Sequence, residues 1–348
     1  MKPVLISLLA VMLAGIASEQ VRAQNDDKFQ TKKDIVYATH DGVALLGDLY
    51  QPPSAVAHPA LLFIHSGNLT GGSKQGFAAN WGPYLAQHGY VVFSIDYRLG
   101  KPKAPTWPQV LLDCKAAIQY LRGDAAALGI DPERIGVVGD SAGGLLTSML
   151  TVTQDWQAFA NKYPQDAYAS ASTKIKAAVV VYAIPDPMVS RKYTSISRDA
   201  PPYDLVFGGS PYDQPGAFFE GSAIDYIREA SKALGTAATP NLATTTPWFV
   251  TYGMIDSRVP PEGESIPFIK ALKEAGASVT EVPVPNVGHF WLESSAITGQ
   301  QGEPICTETG PQPFRFACKG ATPNDYILPK LMEFFTRNLS STLESSAH

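Results

Sequence analysis

The sequence is sparing in the residues that several functions require. It has three cysteines in 348 residues. Nowhere does it carry the CxxC or HExxH spacing of a redox or zinc motif, so no metal and no organic cofactor are expected. Its 27 lysines and arginines are outnumbered by 32 acidic residues, for a formal net charge of −5. No basic cluster stands out, which argues against a phosphate-binding surface and therefore against nucleic acid as a partner. There is no internal repeat and no low-complexity tract. The one long apolar run, "VLISLLAVMLAGIA" from Val4 to Ala17, is too short to span a bilayer comfortably. It follows Lys2 and leads into "VRAQ", where Val21 and Ala23 satisfy the small-residue rule of a signal peptidase site. Residues 1–23 are therefore read as a signal peptide cleaved after Ala23. The mature chain is expected to carry no membrane anchor and to be secreted or periplasmic.

The cysteines suit that address. Cys306 and Cys318 share the polar stretch "GQQGEPICTETGPQPFRFACKG", and a disulfide between them is expected to close a loop over residues 297–325. Cys114 lies in the helical pattern "VLLDCKAAIQYLR" and reads as a buried thiol, although spacing alone leaves pairings through it open.

What the chain does have is a large apolar fraction, 45%, enough to bury a sizeable core. After the hairpin signal Asp41-Gly42, near-continuous apolar runs alternate with helical periods. The runs are "PALLFIHSG", "YVVFSIDYR", "RIGVVG", "IKAAVVVYA", "PWFVTYGMID" and "SVTEVPVPNVGH". Runs covered on both faces, alternating with helices, predict an α/β fold. It should have a mostly parallel central sheet, helices on both faces and an antiparallel edge at the hairpin. The closing segment "YILPKLMEFFTRNL" predicts an amphipathic helix. Residues 24–348 are read as one domain. The alternation breaks over 188–246, which is read as a cap-like insertion with one helical piece near "AIDYIREASKAL". Its aromatics Tyr193, Tyr203, Phe207, Tyr212, Phe218, Phe219 and Tyr226 either line an apolar pocket or form the insertion's own core.

One stretch carries chemistry. In "IGVVGDSAGGLL" a strand-like run from Ile135 to Gly139 is followed by Ser141, with Gly139 and Gly143 two residues to either side. A serine hydroxyl is a weak nucleophile that needs an adjacent base and an exposed position. A sharp strand-to-helix turn supplies the exposure, and its crowding demands small neighbours, hence G-x-S-x-G. The N–H of Ala142 then points toward the reacting oxygen. In this arrangement an acid and then a histidine follow in the chain. Only His289 and the tail residue His348 lie downstream. His289, in "NVGHFW" after a strand, is the expected base. Asp256, in "YGMID" after the preceding strand, is the expected acid, with Asp186 in "AIPDP" as its rival and Glu262 and Glu264 weaker. "LLFIHSGNLTGG" supplies a loop after a strand, so Gly67 and Asn68 are expected to join Ala142 in an oxyanion hole. His65 is read as a brace for that loop.

On these pieces the chain resembles the α/β-hydrolase superfamily. It looks most like carboxylesterases of the hormone-sensitive-lipase-like group and feruloyl-esterase-like bacterial relatives. "FIHSGN", "DYRLGKPKAPTWPQVLLDCKAAIQYLR", "GIDPERIGVVGDSAGG", "YGMIDSRVP" and "VGHFW" carry the likeness, in order, from Leu61 to Trp291. The resemblance implies an α/β-hydrolase fold with nucleophile Ser141, acid Asp256, base His289 and donors Gly67, Asn68 and Ala142. Where such esterases usually have His-Gly-Gly-Gly, this chain has His65-Ser66-Gly67-Asn68. The expected activity is hydrolysis of small-molecule short-chain or aromatic carboxylic esters through an acyl-enzyme. The alternatives are a serine peptidase of the same fold and a non-catalytic binding protein built on it. The number of subunits stays open.

Overall fold

A computed structural model describes residues 28–54, 56–160, 162–194, 202–232, 242–309 and 315–340. The expected signal peptide and its cleavage site after Ala23 lie outside the described residues, as does His348.

Eight strands form one sheet in the order β1-β2-β4-β3-β5-β6-β7-β8. They are β1 (Gln30–His40), β2 (Val43–Gln51), β3 (His58–Ile64), β4 (Val91–Ile95), β5 (Ile130–Asp140), β6 (Ala177–Val181), β7 (Trp248–Gly253) and β8 (Val279–Val284). The hairpin β1–β2 is antiparallel, and β2 runs antiparallel to β4. Every pairing from β4 through β3, β5, β6 and β7 to β8 is parallel. Asp41 and Gly42 both have positive φ, 50° and 79°, the backbone that a two-residue hairpin turn of right-twisted strands requires. The five residues of β6, "AAVVV", are all buried, as are the six of β7. Helices cover both faces, which is why these strands show no alternation. One core layer packs residues of helices Gln109–Gly123, Ala142–Thr153 and Ser265–Glu274, and the other packs helices Ala78–Gln87 and Pro323–Leu339.

Parallel register brings the carboxyl ends of β3, β5, β6, β7 and β8 to one edge. Ile64 pairs with Gly139, Asp140 with Val181, and Gly253 with Val284. The segments that follow β3, β5, β7 and β8 contain His65–Asn68, Ser141, Asp256 and His289. Open α/β sheets place their ligands at this edge.

Among the described residues between β6 and β7 there are four α-helices, Pro187–Thr194, Pro202–Phe207, Pro215–Glu220 and Ala223–Lys232, where the sequence suggested one helical piece. The first three are six to eight residues long and start at proline. Proline at the first helical position is favoured because no N–H is needed there, but so few residues show no apolar period. Tyr203, Phe207 and Phe218 are buried together, with the Phe207 and Phe218 ring centroids 4.5 Å apart. Tyr226 packs edge-on to Trp156 and Phe159. Tyr212 is 92% exposed. Most of the insertion's aromatics thus serve packing.

Cys306 and Cys318 are disulfide-bonded. They sit directly opposite each other in a hairpin of β9 (Ile305–Thr309) and β10 (Arg315–Lys319), where the sequence suggested a loop. Cys114 is a free, buried thiol whose pKa burial pushes up.

A buried ionic cluster anchors the hairpin to the sheet's flank. His40 sits between two carboxylates, with Nδ1 2.7 Å from Asp113 Oδ1 and Nε2 2.8 Å from Asp166 Oδ2. Its ring stacks on Tyr163 at 3.6 Å, and Arg98 also binds Asp113. Burial opposes the His40 charge, but the two carboxylate hydrogen bonds outweigh it and raise its pKa. A group charged more readily in the folded state stabilises fully below its unfolded pKa, and that contribution is lost as pH rises through the folded value. Neutral His40 would set one ring nitrogen's lone pair against a carboxylate. The melting-temperature gap between the protein and His40→Gln should therefore be widest near about pH 6 and narrow toward about pH 9. Calorimetry at both values checks it, and a constant gap would exclude the charged cluster.

Candidate active site

The turn after β5 is built around one strained residue. Ser141 has φ 50° and ψ −118°, a region costing about 1–3 kcal/mol for a side-chain-bearing residue. Its N–H donates to the Val181 carbonyl at 2.9 Å, and its own carbonyl accepts from Leu145 at 3.2 Å, so neighbouring elements hold it there. Both flanking glycines are explained by close approach. A Cβ on Gly139 would lie 2.3 Å from the Gly143 oxygen, and one on Gly143 would lie 2.1 Å from the Ile64 oxygen. The helix start is pressed against the ends of β3 and β5, and no side chain fits between.

Three side chains from three segments meet above this turn. His289 Nε2 is 3.0 Å from Ser141 Oγ, and His289 Nδ1 is 2.6 Å from Asp256 Oδ2. All three residues are buried. Asp256 Oδ1 accepts the N–H groups of Arg258 at 2.9 Å and Val259 at 3.0 Å. One carboxylate oxygen is fixed by the loop, so the other faces the imidazole. That sets the proton on Nδ1 and leaves the Nε2 lone pair to accept the serine hydroxyl. The Tyr182 ring, 4.4 Å centroid to centroid, packs against the imidazole.

The rival residues are engaged elsewhere. Asp186 Oδ1 accepts the N–H groups of Met188 and Val189 at 2.9 and 3.2 Å, capping the helix that begins at Pro187. Glu262 is exposed. Glu264 is buried, and burial together with Asp186 holds its carboxyl well above the usual range. His65 is buried, with Nδ1 2.6 Å from the Ser66 carbonyl oxygen and its ring stacked on Tyr97 at 4.2 Å. Burial pushes its imidazole down to about 4, so it braces the loop as a neutral ring.

That loop runs left-handed, with φ 112° at Gly67, 57° at Asn68 and 59° at Leu69. Asparagine tolerates this region better than most residues, so Asn68 can stand where a glycine is usual. The N–H groups of Gly67, Asn68 and Ala142 have no acceptor among the described residues. Ala142 opens a helix, where negative charge is favoured. Ser66 Oγ bonds Glu293, four positions beyond His289. Ser66, Glu293, Asp140 and Tyr182 were not singled out from the sequence. Asp140 is the variable position of the motif, and nothing in the spacing marks the others. A cleft of about 330 Å³ borders His289, with Arg258 on one side and Cys306, Glu308 and Phe316 of the disulfide hairpin on another.

The BD-FAE family model matches residues 47–268, well over half of the chain. The chain belongs to the BD-FAE family. It is 28% identical to esterase LipQ of Mycobacterium tuberculosis over 232 residues, covering 66% of this chain and 50% of that one. It is 27% identical to an ethyl acetate hydrolase of Pseudomonas putida over 276 residues, covering 78% of each. Among solved structures it is similar to Thermogutta terrifontis esterase 2 phosphoramylated by tabun. That likeness has a TM-score of 0.56 at 25% identity and covers 77% of this chain and 87% of that one. The chain spans only half the length of LipQ. The α/β-hydrolase fold expected from the sequence is the fold found, with its eight-stranded, mostly parallel sheet.

Proposed function

We propose that this BD-FAE chain is an exported serine carboxylesterase acting on short-chain or aromatic esters through an acyl-enzyme. The observation that carries the reading is the hydrogen-bonded chain Ser141–His289–Asp256 on a strained turn beside backbone N–H groups that have no acceptor among the described residues. His289 Nε2 takes the hydroxyl proton as Ser141 Oγ attacks the ester carbonyl. Negative charge develops on the carbonyl oxygen, and the N–H groups of Gly67, Asn68 and Ala142 stabilise it. Each such donor typically contributes about 3 kcal/mol to the transition state. Asp256 stabilises the imidazolium without taking its proton. The imidazolium then protonates the leaving alcohol, and the acyl group remains on Ser141. Water, deprotonated by the same imidazole, attacks that acyl group and releases the acid.

The names of the relatives support the chemistry at the level of ester hydrolysis, and a neighbour carrying an organophosphate adduct supports a nucleophile of this kind. Export rests on the N-terminal apolar run and its small-residue site alone. A short-chain nitrophenyl ester should give a burst followed by steady turnover, and a peptide nitroanilide should turn over far more slowly. Faster peptide cleavage than ester cleavage would move the assignment to a peptidase.

A further inference from the structure

The loop after β3 carries a hydroxyl whose partner lies far off in the chain. Ser66 Oγ donates to Glu293 Oε1, 227 positions away. Ser66 is buried and Glu293 is half-buried. Glu293 stands on a fixed support. It belongs to the one-turn helix Trp291–Ser294, which begins two residues after His289. The carbonyls at the end of a helix have no partners within it, and here two other helices supply donors. Asn80, of helix Ala78–Gln87, donates to the Glu293 and Ser295 carbonyls at 3.2 Å each. Asn324, of helix Pro323–Leu339, donates to the Leu292 and Ser295 carbonyls at 3.1 and 2.7 Å. The body of the fold, and not the loop, therefore places the Glu293 backbone.

The backbone of Ser66 is held from another side. His65 Nδ1 is 2.6 Å from the Ser66 carbonyl oxygen, and the Tyr97 hydroxyl donates to the His65 carbonyl at 2.8 Å. A peptide unit is planar and trans, so a Ser66 carbonyl held by the buried His65 ring directs the Gly67 N–H the opposite way. One contact on the side chain and one on the carbonyl thus fix the peptide that supplies the first oxyanion donor.

We propose that Ser66 and Glu293 are a positioning pair that locks the Gly67 and Asn68 N–H groups into one frame with His289. Its effect on rate rests on the ester hydrolysis proposed above. Both residues act through the loop and not on the ester itself. Little charge sits on the ester carbonyl oxygen before attack, so a drifting loop would still admit substrate. The donors are needed once the charge has formed, and a misplacement of a fraction of an ångström then falls on kcat and not on KM.

A double-mutant cycle tests the pair. Ser66→Ala and Glu293→Ala should each lower kcat about 10- to 100-fold, with KM within about threefold. Together they should lose no more than the worse single change, because either one breaks the same bond. Glu293→Gln keeps an oxygen to accept the Ser66 hydroxyl and should recover kcat to within about fivefold of the unaltered protein. A boronic acid that adds to Ser141 as a tetrahedral adduct should bind more weakly by the factor that kcat/KM falls, since it needs the same donors. Losses that multiply in the double variant, or a Glu293→Gln defect as deep as that of Glu293→Ala, would overturn the pair. Amide hydrogen exchange reads the bond without any ester. The N–H groups of Thr70 and Gly71 donate to the Gly67 carbonyl at 3.0 Å each. In both alanine variants they should exchange at least about tenfold faster, the effect of losing one hydrogen bond to a charged group. If the unaltered protein hydrolysed no ester, the functional reading would fall while exchange still decided whether the bond holds the loop. Exchange unchanged in both variants overturns it.

Discussion

Ser141→Ala should lower kcat for a short-chain nitrophenyl ester by about 10⁶-fold while leaving the melting temperature nearly unchanged. The size follows from how a nucleophile and its base act as one unit: removing either costs nearly as much as removing the whole arrangement. What remains comes from the oxyanion donors and substrate binding, which do not depend on the hydroxyl. The fold should survive because alanine adopts the same backbone. Ser141 sits at φ 50° through its bonds to Val181 and Leu145, which are backbone bonds that alanine keeps. His289 loses only the weaker of its two partners, the contact at 3.0 Å. The variant should also resist covalent labelling by a phosphonate ester. An alanine variant that still labelled and turned over ester would place the nucleophile elsewhere.

Asp256→Asn should cost about 10⁴-fold in kcat, while Asp186→Asn should stay within a few-fold of the unaltered protein. The loop dictates the first result. Asp256 Oδ1 accepts two backbone N–H groups, from Arg258 and Val259, so an asparagine must place its oxygen there. Its NH2 group then faces His289 Nδ1 and donates to it. That forces the ring proton onto Nε2, where it points at Ser141 and blocks the lone pair the hydroxyl needs. The geometry stays, and the tautomer is wrong. Asp186 makes no such contact. Its carboxylate accepts from Met188 and Val189, and an asparagine oxygen can cap the same helix. Steady-state kinetics of the two variants on one ester decides the matter, and loss confined to Asp186→Asn would reassign the acid.

Much of this was legible in the chain because it rests on local rules. A strand covered on both faces reads as an unbroken apolar run, as "AAVVV" and "WFVTYG" do. A strained turn that cannot hold a Cβ reads as glycine at Gly139 and Gly143. Proximity of Ser141, Asp256 and His289 was inferred from chain order, because parallel strands deliver their carboxyl ends to one edge. Short elements were harder. The proline-started helices of the insertion have too few turns to show a period, and the hairpin of Cys306 and Cys318 reads as a polar loop because little of it is buried.

By itself, then, the sequence determined the sheet, the turn and which three side chains, Ser141, Asp256 and His289, meet at its edge, since each depends on neighbours within a few residues or on strand order. Only the tertiary structure decided that Asp186 caps a helix, that most of the insertion's aromatics pack inward, and that Ser66 of the loop after β3 bonds Glu293. Glu293 is 227 positions from Ser66 along the chain. A hydrogen bond across that separation is fixed by how segments pack, and packing leaves no period or motif behind.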